Sequence, residues 1–206
     1  MSNKALWDSV CTTDPRAVKP ITGKAYQGNS PKPYWLIERA TEAFGPVGIG
    51  WGCTVKSERF EKLTDTDVLH VAVVSVWYVL DGKRSETFDQ MGGTKAAYKT
   101  AKGSMIVDED AGKKSVTDGM VKCLSMIGFA GDIFSGRWDD SKYIEHARQV
   151  YEDKDREDDP GRKAWLAGKR AEIMGAATVG DFKRIVAAAG AFAEEQGDGA
   201  AVDQIN

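Results

Sequence analysis

The sequence predicts an α+β protein with one helix, a three-stranded antiparallel β-meander, a central helix, and a small helical appendage at the C-terminal end. Three observations lead to this fold class. The segment 108–134 has the apolar periodicity of an amphipathic helix. An apolar run at 67–80 ends in Asp81-Gly82, a strong signal for a two-residue hairpin. Alanine-rich helical patterns occupy 162–193.

The first helix is predicted after an irregular N-terminal segment, 1–29, which two prolines interrupt. Ser30 followed by Pro31 is typical of a helix start, because serine accepts hydrogen bonds from free N–H groups and proline loses none there. The dipeptide Gly45-Pro46 predicts the helix end. The predicted apolar side of this helix consists of Tyr34, Leu36, Ile37, Ala40 and Phe44.

Trp35 is expected on the opposite, charged side of this helix, among Glu38, Arg39 and Glu42. A tryptophan in that position stacks on a nucleic-acid base, contacts a second subunit, or lies flat on a neighbouring loop. All three interpretations stay open from the sequence.

The strand pattern begins at 47–55, where every second residue is apolar and Gly48, Gly50 and Gly52 stand between them. This predicts one core face and one face that another backbone approaches closely. Because these glycines alternate along a strand and do not open a helix, we reject a dinucleotide-binding fingerprint.

The segment 67–80 is apolar on both faces, so it needs cover on both sides of an antiparallel sheet. A helix is expected to cover one face and a second copy of the chain the other, which predicts a homo-oligomer. The turn at Asp81-Gly82 is expected to lead into a third strand at 83–91.

A basic segment, 91–107, is predicted to form a loop between the meander and the central helix. It contains Lys95, Lys99 and Lys102 and no acidic residue, for a local charge of +3. Such a loop either binds along a phosphate backbone or is exposed to solvent without a ligand, and composition does not decide between the two.

The central helix is predicted at 109–127. Carboxylates at Asp108, Glu109 and Asp110 suit the positive end of the helix dipole, and Gly128 is a typical stop. Its apolar arc consists of Val116, Met120, Cys123, Leu124 and Ile127.

The opposite side of the central helix presents Lys114, Asp118, Lys122 and Ser125. The spacing lets Asp118 pair with either lysine and align both side chains. This side is either a ligand-binding face or an ordinary solvated face with ion pairs.

Composition argues against several classes of function. The 206 residues include three widely spaced cysteines and two histidines, which favours reduced thiols and argues against a metal centre. The sequence has no phosphate loop of the GxxxxGK[ST] type and no nucleophile beside a base. No apolar run reaches the ~20 residues that a membrane helix needs. We therefore expect a cytoplasmic, non-enzymatic protein without cofactors.

The net charge differs between the first two thirds of the chain and the rest. Residues 1–138 hold 18 Lys and Arg against 16 Asp and Glu, a net charge of +2, whereas residues 139–206 hold 10 against 15, a net charge of −5. The run 152–159 has no apolar residue and predicts a solvated linker. The predicted organisation is a core at 1–150, an acidic linker at 151–161, and a helical region at 162–206 with a mobile tail.

The motif Val116-Thr117-Asp118-Gly119 resembles the central helix of the Rad-fifty-two family of single-strand annealing proteins, in a bacteriophage form. The residues around it that share the resemblance are Ala111, Lys114, Lys122, Leu124 and Gly128. The segment 34–45, the glycine-rich strand, the hairpin and the basic segment follow that family's order and spacing, so the resemblance covers 22–143.

The resemblance implies a β-β-β-α core that assembles into oligomeric rings and holds single-stranded DNA in a basic groove. It implies that complementary strands are annealed without ATP, in homologous recombination and repair in the host-cell cytoplasm. Residues after 161 match nothing in that family core.

The resemblance also implies DNA-binding roles for particular lysines. Lys122 matches a groove-lining basic position, Lys114 lies nearer the groove rim, and Lys24 matches a basic residue before the first helix. Eukaryotic members have two adjacent basic residues where this chain has Val121-Lys122. The candidate DNA-binding residues are Lys122, Lys114, Lys24, Lys113, Lys102, Lys99, Lys95 and Trp35.

The acidic C-terminal region is expected to avoid DNA and to recruit a partner protein, such as a host single-strand-binding protein or a phage exonuclease. Two other functions stay open. One is a metal-dependent nuclease in which Asp108, Glu109 and Asp110 hold Mg²⁺; the helix dipole alone explains these acids. The other is a purely structural ring-forming protein.

Overall fold

The structure is a computed structural model that describes residues 4–22 and 27–205, so Lys24 lies outside the described residues. The chain divides into two compact units, 1–148 and 149–206. The helices are α1 (Ala5–Val10), α2 (Pro33–Phe44), α3 (Ala111–Met126), α4 (Gly131–Phe134), α5 (Ser141–Asp158), α6 (Pro160–Met174), α7 (Val179–Glu195) and α8 (Gly199–Ile205). The strands are β1 (Val18–Pro20), β2 (Asn29–Pro31), β3 (Trp51–Lys62), β4 (Val68–Leu80), β5 (Lys83–Arg84), β6 (Phe88–Lys99) and β7 (Met105–Val107). The predicted α+β class is confirmed.

The main sheet is antiparallel, with strand order β3-β4-β6-β7 and with β5 paired to the end of β4. Leu80 pairs with Lys83 across a turn in which Asp81 and Gly82 have φ of +51° and +73°, so the predicted two-residue hairpin is confirmed. The predicted third strand, 83–91, is interrupted after β5 and continues as the much longer β6.

The first predicted strand, 47–55, is shifted. Val47 and Ile49 lie exposed in a turn, and β3 begins only at Trp51. The strand then continues through 56–62, where five of the seven residues are charged. Its pairing with β4 has an irregularity in the register between Val55 and Ser57. Close approach of another backbone is confirmed only at Gly50, where an added Cβ would lie 2.5 Å from the carbonyl carbon of Phe44. At Gly52 it would meet the Trp77 side chain, and at Gly48 it would meet nothing within 4 Å.

The prediction of a loop at 91–107 is wrong. Lys95 and Lys99 lie on β6, Lys102 lies in the turn that follows, and β7 returns alongside β6. The two glycines at 92–93 suggested a loop from the sequence, but they lie within the strand.

Helix α3 packs directly on β4 and β6, and glycine makes this possible. A Cβ on Gly92 would lie 2.5 Å from the backbone N of Gly119 and closer still to the carbonyl O of Ser115. A Cβ on Gly119 would lie 2.7 Å from the Val74 side chain. The Ser115 hydroxyl donates to the carbonyl O of His70 at 3.0 Å. The helix backbone therefore lies almost in contact with the sheet backbone.

The predicted core face of α3 is confirmed. Met120, Cys123 and Leu124 are buried, and Val116 and Ile127 pack against the same cluster. The helix ends as predicted before Gly128, which has φ of +109°. The N–H of Phe129 donates to the carbonyl of Leu124 and that of Gly128 to Ser125, which is a Schellman cap.

Helix α2 begins two residues later than predicted, because Pro33 occupies its first turn and Ser30-Pro31 belongs to β2. The segment 1–29, predicted to be irregular, contains α1 and β1. Leu36 and Ala40 are buried, as expected. Tyr34, predicted in the core, is 85% exposed, whereas Trp35, predicted on the charged side, is half-buried and packs against the core.

A buried carboxylate joins the N-terminal segment to the helices that follow α3. Asp132 accepts hydrogen bonds of 2.5 to 3.0 Å from the backbone N–H and hydroxyl of Thr13, the backbone N–H of Ile133, the indole of Trp138 and the hydroxyl of Tyr143. These donors compensate for the cost of burying a charged group. Burial, together with the charge of Asp132, raises the pKa of Tyr143 to about 12.

The unit 149–206 has its own small core, in which Leu166, Ala189, Ala193, Ala201 and Ile205 are buried. The two predicted alanine-rich helices are α6 and α7. The segment 151–161, predicted to be an acidic linker, forms the last turns of α5 and the start of α6. The predicted mobile tail forms α8, of which two residues are buried. Within the described residues, no helix is long and apolar enough to cross a membrane.

We expect Gly92→Ala to lower the free energy of unfolding by about 3 kcal/mol, because the added methyl group forces α3 away from the sheet. Gly93→Ala is the matched control, since its Cβ would meet neighbouring atoms only at 3.8 Å or more. Urea unfolding followed by near-UV circular dichroism measures both. Equal stability of the two variants would contradict this packing.

The free energy of unfolding is expected to fall as the pH rises from about 10 to about 12, because folded Tyr143 keeps its proton after the unfolded chain has lost it. Tyr143→Phe removes this titration. It should therefore be less stable than the wild type at pH 8 and lose less stability above pH 10. Urea unfolding at stepped pH measures both chains; parallel curves would refute the raised pKa of Tyr143.

Candidate nucleic-acid interface

A groove of about 510 Å³ lies between the β1–β2 hairpin, the start of α2 and one side of α3. Each wall has a separate origin: Lys19 comes from β1, Tyr34 from the first turn of α2, and Lys113 and Lys114 from the first turns of α3. The groove is open to solvent and has lysines on both sides. Three lysines against one acid, Asp118, give the lining of the groove a net charge of +2, which suits binding to a polyanionic chain.

The two α3 lysines are held by neighbouring carboxylates at the start of the helix. Lys113 pairs with Asp110 at 2.9 Å, and Lys114 donates to Asp108 at 2.6 Å. The hydrogen bond from Lys114 lowers the pKa of Asp108, and the same bond raises the pKa of Lys114. Both lysine side chains are exposed, so these ion pairs contribute little stability and a phosphate can replace the carboxylate.

Lys19 faces these residues across the groove. It is exposed and, among the described residues, makes no ion pair. Its ammonium group is therefore fully available to an anion. Lys19 is not among the lysines predicted from the sequence, because its place opposite α3 depends on tertiary packing that no local motif shows.

Two tyrosines stand among the lysines. Tyr34 lines the groove with most of its ring exposed. Tyr98 lies outside the groove lining, under the ammonium of Lys95, which is 5.5 Å from the ring centroid. Aromatic rings between basic side chains are typical of single-stranded nucleic-acid sites, where bases stack on the rings.

Lys122, the residue that the resemblance assigns to the groove, makes contacts at the edge of β6. Its ammonium donates to the carbonyl of Met91 at 3.1 Å and to Asp118 at 2.8 Å. Asp118 in turn accepts the backbone N–H of Gly93 at 3.1 Å. The two side chains therefore satisfy backbone groups of β6 where β7 does not reach. Asp118 pairs with Lys122 and not with Lys114.

The remaining candidates are dispersed. Lys95 pairs with Asp67 at 3.2 Å. Lys99 and Lys102 lie exposed on the β6–β7 hairpin and, within 4–22 and 27–205, form no ion pair. Trp35 packs on the core with only part of its ring exposed. Tyr34 is the aromatic residue that lies in the groove instead.

The three acids considered for a metal site do not converge. Asp108 and Asp110 each bind a lysine, and Asp108 also accepts the backbone N–H of Asp110. Throughout the described part of the chain, no group of three His, Cys, Asp or Glu side chains is arranged to hold a metal ion.

Comparison with known proteins found no protein-family model and no curated protein that matches this chain. The groove and its side chains therefore carry the functional interpretation.

Proposed function

We propose that this protein binds single-stranded DNA in the groove between the β1–β2 hairpin and α3, and that it anneals complementary strands without ATP as a homo-oligomeric ring. The observation that carries the proposal is the placement of Lys19, Lys113 and Lys114 around the exposed ring of Tyr34. The resemblance to the Rad-fifty-two family supports it, because the motif at 116–119 lies on the helix that forms one wall of the groove.

The chemistry required is binding, not bond making. Lysines on both walls neutralise phosphates and release condensed counterions, which provides affinity without regard to base sequence. A strand held by its backbone presents its bases for pairing, and base pairing itself supplies the free energy of annealing. No nucleotide hydrolysis is needed for such a reaction.

The number of lysines sets the expected salt dependence. Three phosphate contacts per chain predict that log affinity for a single strand falls against log salt with a slope of about −2, at roughly 0.7 per contact. Stacking of one base on Tyr34 adds about 1–3 kcal/mol that depends little on salt.

The double variant Lys113→Gln/Lys114→Gln is expected to bind oligo(dT) more weakly and to reduce the magnitude of the salt slope by about 1.4, because two of three phosphate contacts are lost. Tyr34→Ala should weaken binding at every salt concentration with the slope unchanged, whereas Tyr34→Phe should bind like the wild type. Fluorescence anisotropy over a range of salt concentrations measures affinity and slope together.

Lys142→Gln is the matched control, because this exposed lysine lies on α5 and does not line the groove. It should keep the wild-type slope. If the double variant also keeps the wild-type affinity and slope while Lys99→Gln/Lys102→Gln loses them, the strand lies along the β6–β7 hairpin and the groove proposal is wrong.

A further inference from the structure

Two carboxylates at the start of α3 are each paired with a lysine of the groove. Asp110 occupies the N-cap position, where an aspartate normally accepts a hydrogen bond from the first turn of the helix, but its side chain makes no such bond. It is directed instead to the ammonium of Lys113, at 2.9 Å. Asp108 accepts the hydrogen bond of Lys114 at 2.6 Å. Capping of the helix therefore does not explain the direction of the Asp110 side chain.

The lysines of these two pairs line the groove, whereas their carboxylate partners lie outside its lining. The side chains of Lys113 and Lys114 are 72% and 52% exposed, so both keep the freedom to turn. A lysine that stays on its carboxylate holds an incoming phosphate beside a second negative charge, and the two anions repel each other. Binding of a strand therefore requires each ammonium group to exchange one anionic partner for another.

The two carboxylates differ in how firmly they are held. The backbone N–H of Asp108 donates to the carbonyl of Ala96 on β6 at 2.8 Å, and its carboxylate accepts the backbone N–H of Asp110 at 3.1 Å. The carboxylate of Asp110 is more exposed and, among the described residues, is bound only by Lys113. A fixed acceptor loses less conformational entropy than a mobile one when it binds a lysine. Asp108 is therefore the stronger partner of the two.

The opposite wall of the groove has no such arrangement. Lys19 makes no ion pair among the described residues, so its contact with a phosphate breaks none. A strand in the groove thus meets one lysine without a competing carboxylate and two lysines that each have one. A protein that anneals strands must also release the duplex it forms. Lysines with a carboxylate partner at hand contact phosphates and still let them go.

We propose that Asp108 and Asp110 compete with the DNA backbone for Lys114 and Lys113, and that this competition sets how fast a bound strand is released. The inference rests on the proposed function, because it concerns the same groove. The carboxylates hold the lysines in the free protein, give them up to phosphates, and bind them again when a phosphate leaves. They touch no DNA and act only through the two lysines.

Removal of one carboxylate charge tests the competition. Asp108→Asn keeps an oxygen that accepts the N–H of Asp110 but loses the charge that holds Lys114. At low salt it should release oligo(dT) about threefold more slowly than the wild type, the size expected when a partly exposed ion pair is no longer broken on binding. The difference should shrink as salt rises, because salt screens the internal ion pair. Stopped-flow fluorescence with unlabelled oligo(dT) as the chase measures the dissociation rate.

Glu109→Gln is the matched control, because it removes the same charge from the residue between the two aspartates. Glu109 is exposed and, within 4–22 and 27–205, makes no ion pair. The decisive comparison uses the Lys114→Gln background. There Asp108→Asn should slow release no more than Glu109→Gln does, since the lysine through which Asp108 acts is gone. If circular dichroism shows that Asp108→Asn is unfolded, Asp110→Asn with Lys113→Gln makes the same test, with a smaller expected effect.

The proposal is overturned if the aspartate variant releases the strand as fast as the wild type, or if Glu109→Gln slows release as much. It is also overturned if the effect of Asp108→Asn persists without Lys114, because net charge alone then governs release. In each of these cases the wild type still binds oligo(dT), so the proposed function stands. If neither the wild type nor any variant binds oligo(dT), the proposed function is refuted and this inference with it.

Discussion

The near-contact of helix α3 with the sheet is the constraint on which the rest of the first unit depends. At Gly92 and Gly119 the two backbones approach so closely that neither position has room for a side chain. This contact fixes the rotation of the helix, so that Cys123 and Leu124 are buried. The side of α3 that carries Lys113 and Lys114 then forms a wall of the groove. The position of these lysines is thus a consequence of packing on the other side of the helix.

The opposite wall of the groove depends on a second constraint, the buried carboxylate of Asp132. Through Thr13 it fixes the segment that leads into β1, and through Trp138 and Tyr143 it fixes the start of α5. The backbone N–H of Lys32 donates to the carbonyl of Ala17, which ties the β1–β2 hairpin to the start of α2. Lys19 and Tyr34 are therefore held by different parts of the chain from the α3 lysines.

Elements that depend on residues close together in the sequence were predictable, whereas positions that depend on contacts between distant residues were not. The periodicity of α3, its glycine stop and the Asp81-Gly82 turn all depend on neighbours within a few residues. Gly92 and Gly93 suggested a loop, because nothing near them in the sequence shows that a helix packs on one of them. Tyr34 was assigned to the core by periodicity alone, but its side chain is exposed and lines the groove. In the site, Lys114 was found by its position on the helix and Lys113 stood among the candidates, whereas Lys19 was missed because tertiary packing, which no local motif shows, places it there.

The most direct test of the central claim is the rate at which the wild-type protein joins two complementary fluorescently labelled oligonucleotides in EDTA without nucleotide, followed by energy transfer. Protein that holds each strand by its phosphates, with bases exposed, should form duplex faster than the free strands, and faster at low than at high salt. A rate equal to that of the free strands, at protein concentrations that saturate both, would contradict the account.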